Sequence, residues 1–255
     1  MQDPPAVTIE NEQGASPVVL LCEHASNFVP ARYGNLGLPS AELQRHIAYD
    51  IGAAAVARRL ARLLDAPLAL SGYSRLLIDC NRPPEAPSLI PAHSEATDIP
   101  GNRDLSADQR AERDRLFFAP FRDRVAALLD ARRAAARPTV LIGVHSFTPV
   151  YLGVRRPWQV GVLYLRAKRL AARLLDGLRA ADPALLIGAN EPYRVTLEGD
   201  FTVPWIGEAR GIATALFEVR QDLIAQETGA AVWADLLAAV VAPIAADPLP
   251  VLGLD

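Results

Sequence analysis

Two histidines carry the strongest chemical signal in this chain. The run VVLLC (Val18–Cys22) leads into Glu23 and His24, and TVLIGV (Thr139–Val144) leads into His145 and Ser146. Apolar runs of this length, rich in Val, Leu and Ile, read as buried strands. Open α/β sheets bind ligands beyond the carboxyl ends of their strands. Two imidazoles at two such ends can therefore converge on one small volume, and imidazole is a common zinc ligand. The plainer reading is a pair of hydrogen-bonded structural histidines, and the chain has only four histidines in all.

Other strand ends carry groups that extend the chemistry. LLIDCNR closes on Asp79, Asn81 and Arg82, and ALFEVRQD offers Glu218, Arg220 and Asp222. A carboxylate as deep in an apolar run as Glu218 needs a partner, such as a metal-bound water or an arginine. His46 and Asp50 are four residues apart, which places them on one face of an expected helix. Together these groups are the inventory of metal-assisted hydrolysis: ligands, a base and an oxyanion donor. Turn chemistry at 79–82 and structural ion pairs at Glu218–Arg220 and His46–Asp50 are the competing explanations. The sequence contains no HExxH, GxSxG or phosphate-loop pattern and no paired CxxC.

The elements that must position these groups alternate. The pattern predicts a strand at 18–22, a helix from Ser40 to about Leu64, and short strands at 68–70 and 75–79. Residues 83–104 are a long proline-rich segment of the kind that forms lids or binding loops. A second helix runs from Ser106 to about Arg137, where Pro138 stops it. Strands follow at 139–144 and 160–165, a helix at 167–180, strands at 184–187 and 213–219, and a last helix at about 221–245. No repeat or composition shift marks a linker, so residues 1–255 read as one α/β domain with helices on both sheet faces.

Bulk properties narrow the class. A net charge of −3 and a pI near 5.9 argue against nucleic-acid or anionic-membrane partners. Cys22 and Cys80 lie in or beside apolar runs and read as buried free thiols, as in a reducing cytoplasm. The first residues, MQDPPAVTIENEQG, lack the basic and apolar regions of a signal peptide, and no uncharged apolar stretch reaches membrane-spanning length.

With these residues in view, the chain resembles the N-formylglutamate amidohydrolase family. The similarity rests on CEHASNFVP (22–30), HIAYDIGA (46–53), YSRLLIDCNRP (73–83), IPGN (99–102), VHSFTP (144–149), RPWQVGVLY (156–164), NEPY (190–193) and FEVRQDLI (217–224), in that order along nearly the whole chain. The resemblance implies a three-layer αβα sandwich with a mixed, mostly parallel sheet, hydrolase-like and similar to zinc carboxypeptidases. It implies that DCNR matches the Asn-Arg segment whose arginine polarises the scissile carbonyl, that VHS holds the second zinc histidine, and that Glu218 falls at the general base. Two departures stand out. Asn27 occupies the position of the glutamate in the carboxypeptidase His-x-x-Glu pair, and Ile206 occupies a place in TVPWIGEARG where relatives commonly have histidine.

A neutral amide is a poor zinc ligand, so Asp50 is expected as the third ligand beside His24 and His145, with Glu23 the alternate. The metal would be zinc or another divalent transition ion, since nitrogen and oxygen donors accept several. Arg82 is expected to stabilise the oxyanion. Arg75, Asn81, Arg155, Arg156 and Arg220 are candidates for holding a small substrate with carboxylate groups, the guanidinium being a bidentate carboxylate binder. The implied reaction is hydrolysis of N-formyl-L-glutamate to formate and L-glutamate, as in amino-acid and histidine degradation. Two alternatives remain: a weak or inactive small-molecule-binding relative, and a metal-free hydrolase using Ser146 or Ser26.

Overall fold

The central strands form because their residues are apolar on both sides. In the computed structural model, which describes residues 3–254, β2 (Val18–Cys22) is buried along its whole length. Val18, Leu20 and Cys22 face one core, while Val19 and Leu21 face another. Such a strand, covered on both faces, reads as a continuous apolar run. The sheet has seven strands. Besides β2 they are β1 (Val7–Glu10), β3 (Leu68–Ser71), β6 (Val140–Phe147), β9 (Val160–Leu163), β10 (Ile187–Ala189) and β11 (Thr214–Arg220). Their order is β1-β3-β2-β6-β11-β9-β10. The strands β3, β2, β6 and β11 run parallel, and β1 and the β9–β10 pair run against them.

Helices α1 (Ala53–Leu64), α4 (Lys168–Ala181) and α5 (Glu227–Ala246) cover one face of the sheet. On the other lie α2 (Ala107–Arg113) and α3 (Ala119–Ala134), joined by a wide π turn over 114–118, together with long irregular segments. The architecture is thus the expected αβα sandwich with a mixed sheet. Ser106 caps α2 with a capping box to Gln109. Pro120, which has no N–H, opens α3 just after the π turn. The helix α5 is long and apolar enough to cross a membrane by length and composition. Here it packs on α1 and α4, and its Asp235 accepts two hydrogen bonds from Arg59 of α1, at 2.7 and 2.8 Å.

Several expected elements differ. The helix predicted from Ser40 begins only at Ala53. Gly52 stands at φ +81°, and a Cβ there would lie 2.2 Å from the Ile224 carbonyl oxygen, so the chain turns sharply where a helix would continue. His46 and Asp50 therefore share no helix face. The strand expected at 75–79 is a turn: the Ser74 hydroxyl accepts from the Leu76 N–H and its carbonyl from the Leu77 N–H. The last helix starts at Glu227, after a short 3₁₀ turn over 221–223. The strand placed at 184–187 lies at Ile187–Ala189, and β1 had no counterpart in the pattern. Two hairpins, β4–β5 (His93–Ser94 and Thr97–Asp98) and β7–β8 (Val150–Tyr151 and Val154–Arg155), occupy loops.

Candidate metal and catalytic site

The strand β6 runs past its apolar stretch, so His145 is inside the strand and not beyond it. Val140, Ile142 and Val144 point into the helix α1–α5 core, which sends His145 to the opposite face. The same alternation in β11 buries Ala215, Phe217 and Val219 and turns Glu218 to the face of His145. The two residues are direct register partners on adjacent parallel strands. His24 reaches the same place from the turn that follows β2, and Asp50 is tied to that turn by its N–H, which donates to the His24 carbonyl at 3.0 Å.

The result is a buried cluster. His24, Asp50 and His145 each offer a ligand atom within 4.8 Å of the others, and the three could hold a metal ion. Both Nδ1 atoms converge on Asp50 Oδ2, at 3.3 Å from His24 and 2.9 Å from His145. The outer nitrogens face carboxylates as well. His24 Nε2 is bonded to Asp79 Oδ1 at 2.7 Å. His145 Nε2 lies 3.1 Å from Glu23 Oε2, at an angle that makes no hydrogen bond. Carboxylates behind ligating histidines are the usual way of fixing imidazole orientation. The donor set of two imidazoles and a carboxylate, with the orphaned buried Oε2 of Glu218 on the neighbouring strand, fits a cation. Glu23 itself accepts the Thr202 hydroxyl and stands behind His145, so Asp50 is the better-placed third donor.

The electrostatics agree with this arrangement. Burial pushes the Asp50 carboxyl up, but the two histidines outweigh it and hold the group far below the usual carboxylate range. Asp79 is likewise held well below that range by Arg75 and His24 against its own burial. For His145 burial works against the charge, yet Glu23 and Asp50 hold it well above the ordinary imidazole value. Glu218 behaves differently. Its Oε2 has no partner among the described residues, and desolvation pushes the carboxyl up to about 7. A base poised there suits proton transfer near neutral pH.

The cluster and Glu218 open into a cavity of about 530 Å³. Of the residues expected to bind substrate, Arg75, Asn81 and Arg82 line it. Arg75, however, is committed to Asp79 Oδ2, at 2.9 and 2.6 Å, and approaches Asp50 Oδ1 at 3.5 Å. Asn81 uses its Oδ1 to accept from the N–H groups of Phe201 and Thr202, at 3.1 and 2.9 Å, and so pins that loop to the cavity wall. Arg82 donates to the Asn81 carbonyl at 3.0 Å and lies 4.0 Å from Asp200. Three arginines stand elsewhere. Arg155 is exposed on the β7–β8 hairpin, outside the cavity. Arg220 is spent on Asp222, at 2.8 and 3.3 Å. Arg156 does not line the cavity and binds Tyr193 instead.

The two departures have structural explanations. Asn27 donates its amide to the Leu43 carbonyl at 2.8 Å, and Ile206 is buried in the core beside α3. The serines are occupied too: the Ser146 hydroxyl donates to the Ile51 carbonyl at 2.9 Å, and Ser26 Oγ accepts from the Phe28 N–H. Among the described residues no imidazole bonds either hydroxyl. Sequence reasoning left Asp79 without a partner and passed over Tyr193, Arg194 and Asp200, all of which line the cavity. The NEPY and DCNR motifs were the available signals for the first two.

Comparison with known proteins agrees with this picture. No curated protein matches the chain. Among solved structures it is similar to the gene product Atu2144 from Agrobacterium tumefaciens, at 40% identity and TM-score 0.89, over 95% of this chain and 97% of that one. It also shares its fold with an N-formylglutamate amidohydrolase from Ralstonia eutropha JMP134, at 20% identity and TM-score 0.73, over 94% and 97% of the two chains. The profile of the N-formylglutamate amidohydrolase family matches residues 16–225, and the chain belongs to that family.

Proposed function

We propose that this protein is a metal-dependent amidohydrolase that cleaves the amide C–N bond of an N-acylated amino acid, with N-formyl-L-glutamate the favoured substrate. The observation that carries the reading is the convergence of His24 and His145 on Asp50 in one cavity, one strand from Glu218, whose Oε2 has no partner among the described residues. His24, Asp50 and His145 would hold zinc or another divalent transition ion. Such an ion, when bound, supplies Lewis-acid polarisation and a water acidified toward a pKa of about 7.

Glu218 would take a proton from water on its carboxylate and pass it to the leaving nitrogen. Arg82, at the cavity wall, would stabilise charge on the carbonyl oxygen. Asp79 and Glu23 would keep the two imidazoles oriented, and Arg75 would hold Asp79 in place. Arg194 lines the cavity with no hydrogen-bond partner among the described residues and is free for a substrate carboxylate. The products would be formate and L-glutamate. A small-molecule substrate and a reducing cytoplasm suit the two buried free thiols and the mixed polar cavity.

The test is metal content on purified protein, with formate and acetate release measured across N-formyl and N-acetyl amino acids. The expected result is stoichiometric metal and chelator-sensitive turnover of an N-formyl acidic amino acid. Metal-free protein with chelator-insensitive turnover, or metal-loaded protein inert on the whole panel, would overturn the proposal.

A further inference from the structure

The NEPY segment brings a further group to the cavity. Asn190 anchors the segment at the end of β9: its N–H donates to the Val162 carbonyl at 2.9 Å, and its Oδ1 accepts from the Tyr164 N–H at 2.9 Å. Gly161 lies directly opposite Glu218 in the β9–β11 register. A Cβ on Gly161 would stand 2.0 Å from the Glu191 carbonyl oxygen and 3.5 Å from Glu218 Cβ. Only the missing side chain lets the loop lie against the strand there. Two residues later, Tyr193 lines the same cavity as Glu218.

The phenol is held by an arginine. Arg156 Nη1 donates to the Tyr193 hydroxyl oxygen at 2.8 Å. The Arg156 guanidinium carbon is 4.7 Å from the Tyr193 ring centroid and 4.6 Å from that of Tyr151, which also lines the cavity. A guanidinium has donors and no acceptor. The Tyr193 oxygen must therefore be the acceptor of that bond, and its own proton is left for another partner. A hydroxyl that accepts a charged hydrogen bond also becomes a stronger donor.

We propose that Tyr193, positioned and polarised by Arg156, donates its phenolic hydrogen bond to the scissile carbonyl oxygen as that oxygen gains negative charge. This role rests on the amide hydrolysis proposed above. It makes Tyr193 a catalytic residue, paired with Arg82 as a two-donor oxyanion site. Arg156 becomes a positioning residue, in place of the carboxylate-gripping role expected for it.

The experiment is a double-mutant cycle on metal-loaded protein, with Tyr193→Phe, Arg156→Met and the double variant assayed on the best substrate of the wild-type panel. Loss of one oxyanion donor typically costs about 10²–10³ in kcat. Tyr193→Phe is expected to lose kcat on that scale, with KM changed by no more than about threefold and metal content unchanged. Arg156→Met should lose part of that, and the double variant should be no worse than Tyr193→Phe, because Arg156 acts through the phenol. Unchanged kcat in Tyr193→Phe overturns the donor role, as does a rise in KM alone, which marks a ground-state contact. Additive losses in the double variant, with KM raised by Arg156→Met, return Arg156 to direct substrate binding. Thermal melts of both single variants confirm folding, since Tyr193 is 41% exposed. Wild-type protein inert on every N-acyl amino acid sinks the hydrolase reading before any variant is made, so the two failures are distinct.

Discussion

Replacing Glu218 with glutamine should cut turnover sharply and stabilise the metal-free protein at the same time. The carboxyl is held at about 7 against 4.5 for an unperturbed glutamate, chiefly by desolvation. One unit of pKa is worth about 1.4 kcal/mol. The folded state therefore disfavours the charged form by up to about 3 kcal/mol. Because the folded pKa is raised, this cost is absent below pH 4.5 and grows as the pH rises toward about 7. It is then fully present above that value. Glutamine carries no such charge. In chelated protein at pH 8, Glu218→Gln should gain up to about 3 kcal/mol, or roughly 6–12 °C in Tm for a chain of this size. At pH 5 most of the gain should be gone. With metal bound the gain should shrink, because a nearby cation favours the carboxylate. The same variant should lose about 10²–10⁴ in kcat as its general base disappears. Melts at pH 5 and 8, with and without chelator, read beside kcat and metal content, decide the matter. A Glu218→Gln protein less stable at pH 8 would mean that the carboxylate is half of a structural pair, and unchanged turnover would remove it from the chemistry.

Metal affinity should rise by up to about tenfold per pH unit while His145 is still protonated, because Asp50 and Glu23 hold its proton and a ligating nitrogen must shed it. Zinc-competition titrations at pH 6, 7 and 8 check this, and a flat profile would contradict it. Asp50→Asn should weaken metal binding at least 10–100-fold, a loss that full occupancy at micromolar zinc would refute. Asn27→Ala should cost about 1 kcal/mol from the lost bond to Leu43, with metal content unchanged, as a melt and metal analysis would show. Gly161→Ala should push the NEPY loop off β9 and reduce kcat while sparing metal content, and a fully active variant would argue against that packing.

The parts of this fold that were legible in the sequence are those whose residues face apolar surroundings on both sides. VVLLC, TVLIGV and the 213–219 run need no knowledge of the rest of the chain, since each is buried by layers on both faces. The helix drawn from Ser40 failed because apolar spacing continues through 43, 47 and 51, while the decisive contact is with Ile224, far along the chain. Likewise RLLID has the composition of a strand, but Ser74 offers the backbone a local turn with its own hydroxyl. In both cases the stretch that failed to become regular structure is the one that delivers Asp50 or Asp79 to His24.

The site was legible where residue type alone restricts the role. Histidines at strand ends, a carboxylate in an apolar run and an Asn-Arg step are rare enough to be read without coordinates, and His24, His145, Glu218 and Arg82 all line one cavity. The arginines were not legible in the same way. Guanidinium chemistry says that each will find an acceptor but not whose. Arg220 found Asp222 two residues away, Arg75 found Asp79 one turn away, and Arg156 found a phenol 37 residues away. Pairing sets Glu218 apart from the acids on the wall. Asp79 pairs with Arg75 and His24 inside the wall, and Asp50 faces both histidines, whereas Glu218 is buried with its Oε2 unpaired among the described residues and its carboxyl pushed up to about 7. A fold that buries a carboxylate with its pKa raised in this way sacrifices stability at that point, and turnover at Glu218 is the function that would account for it.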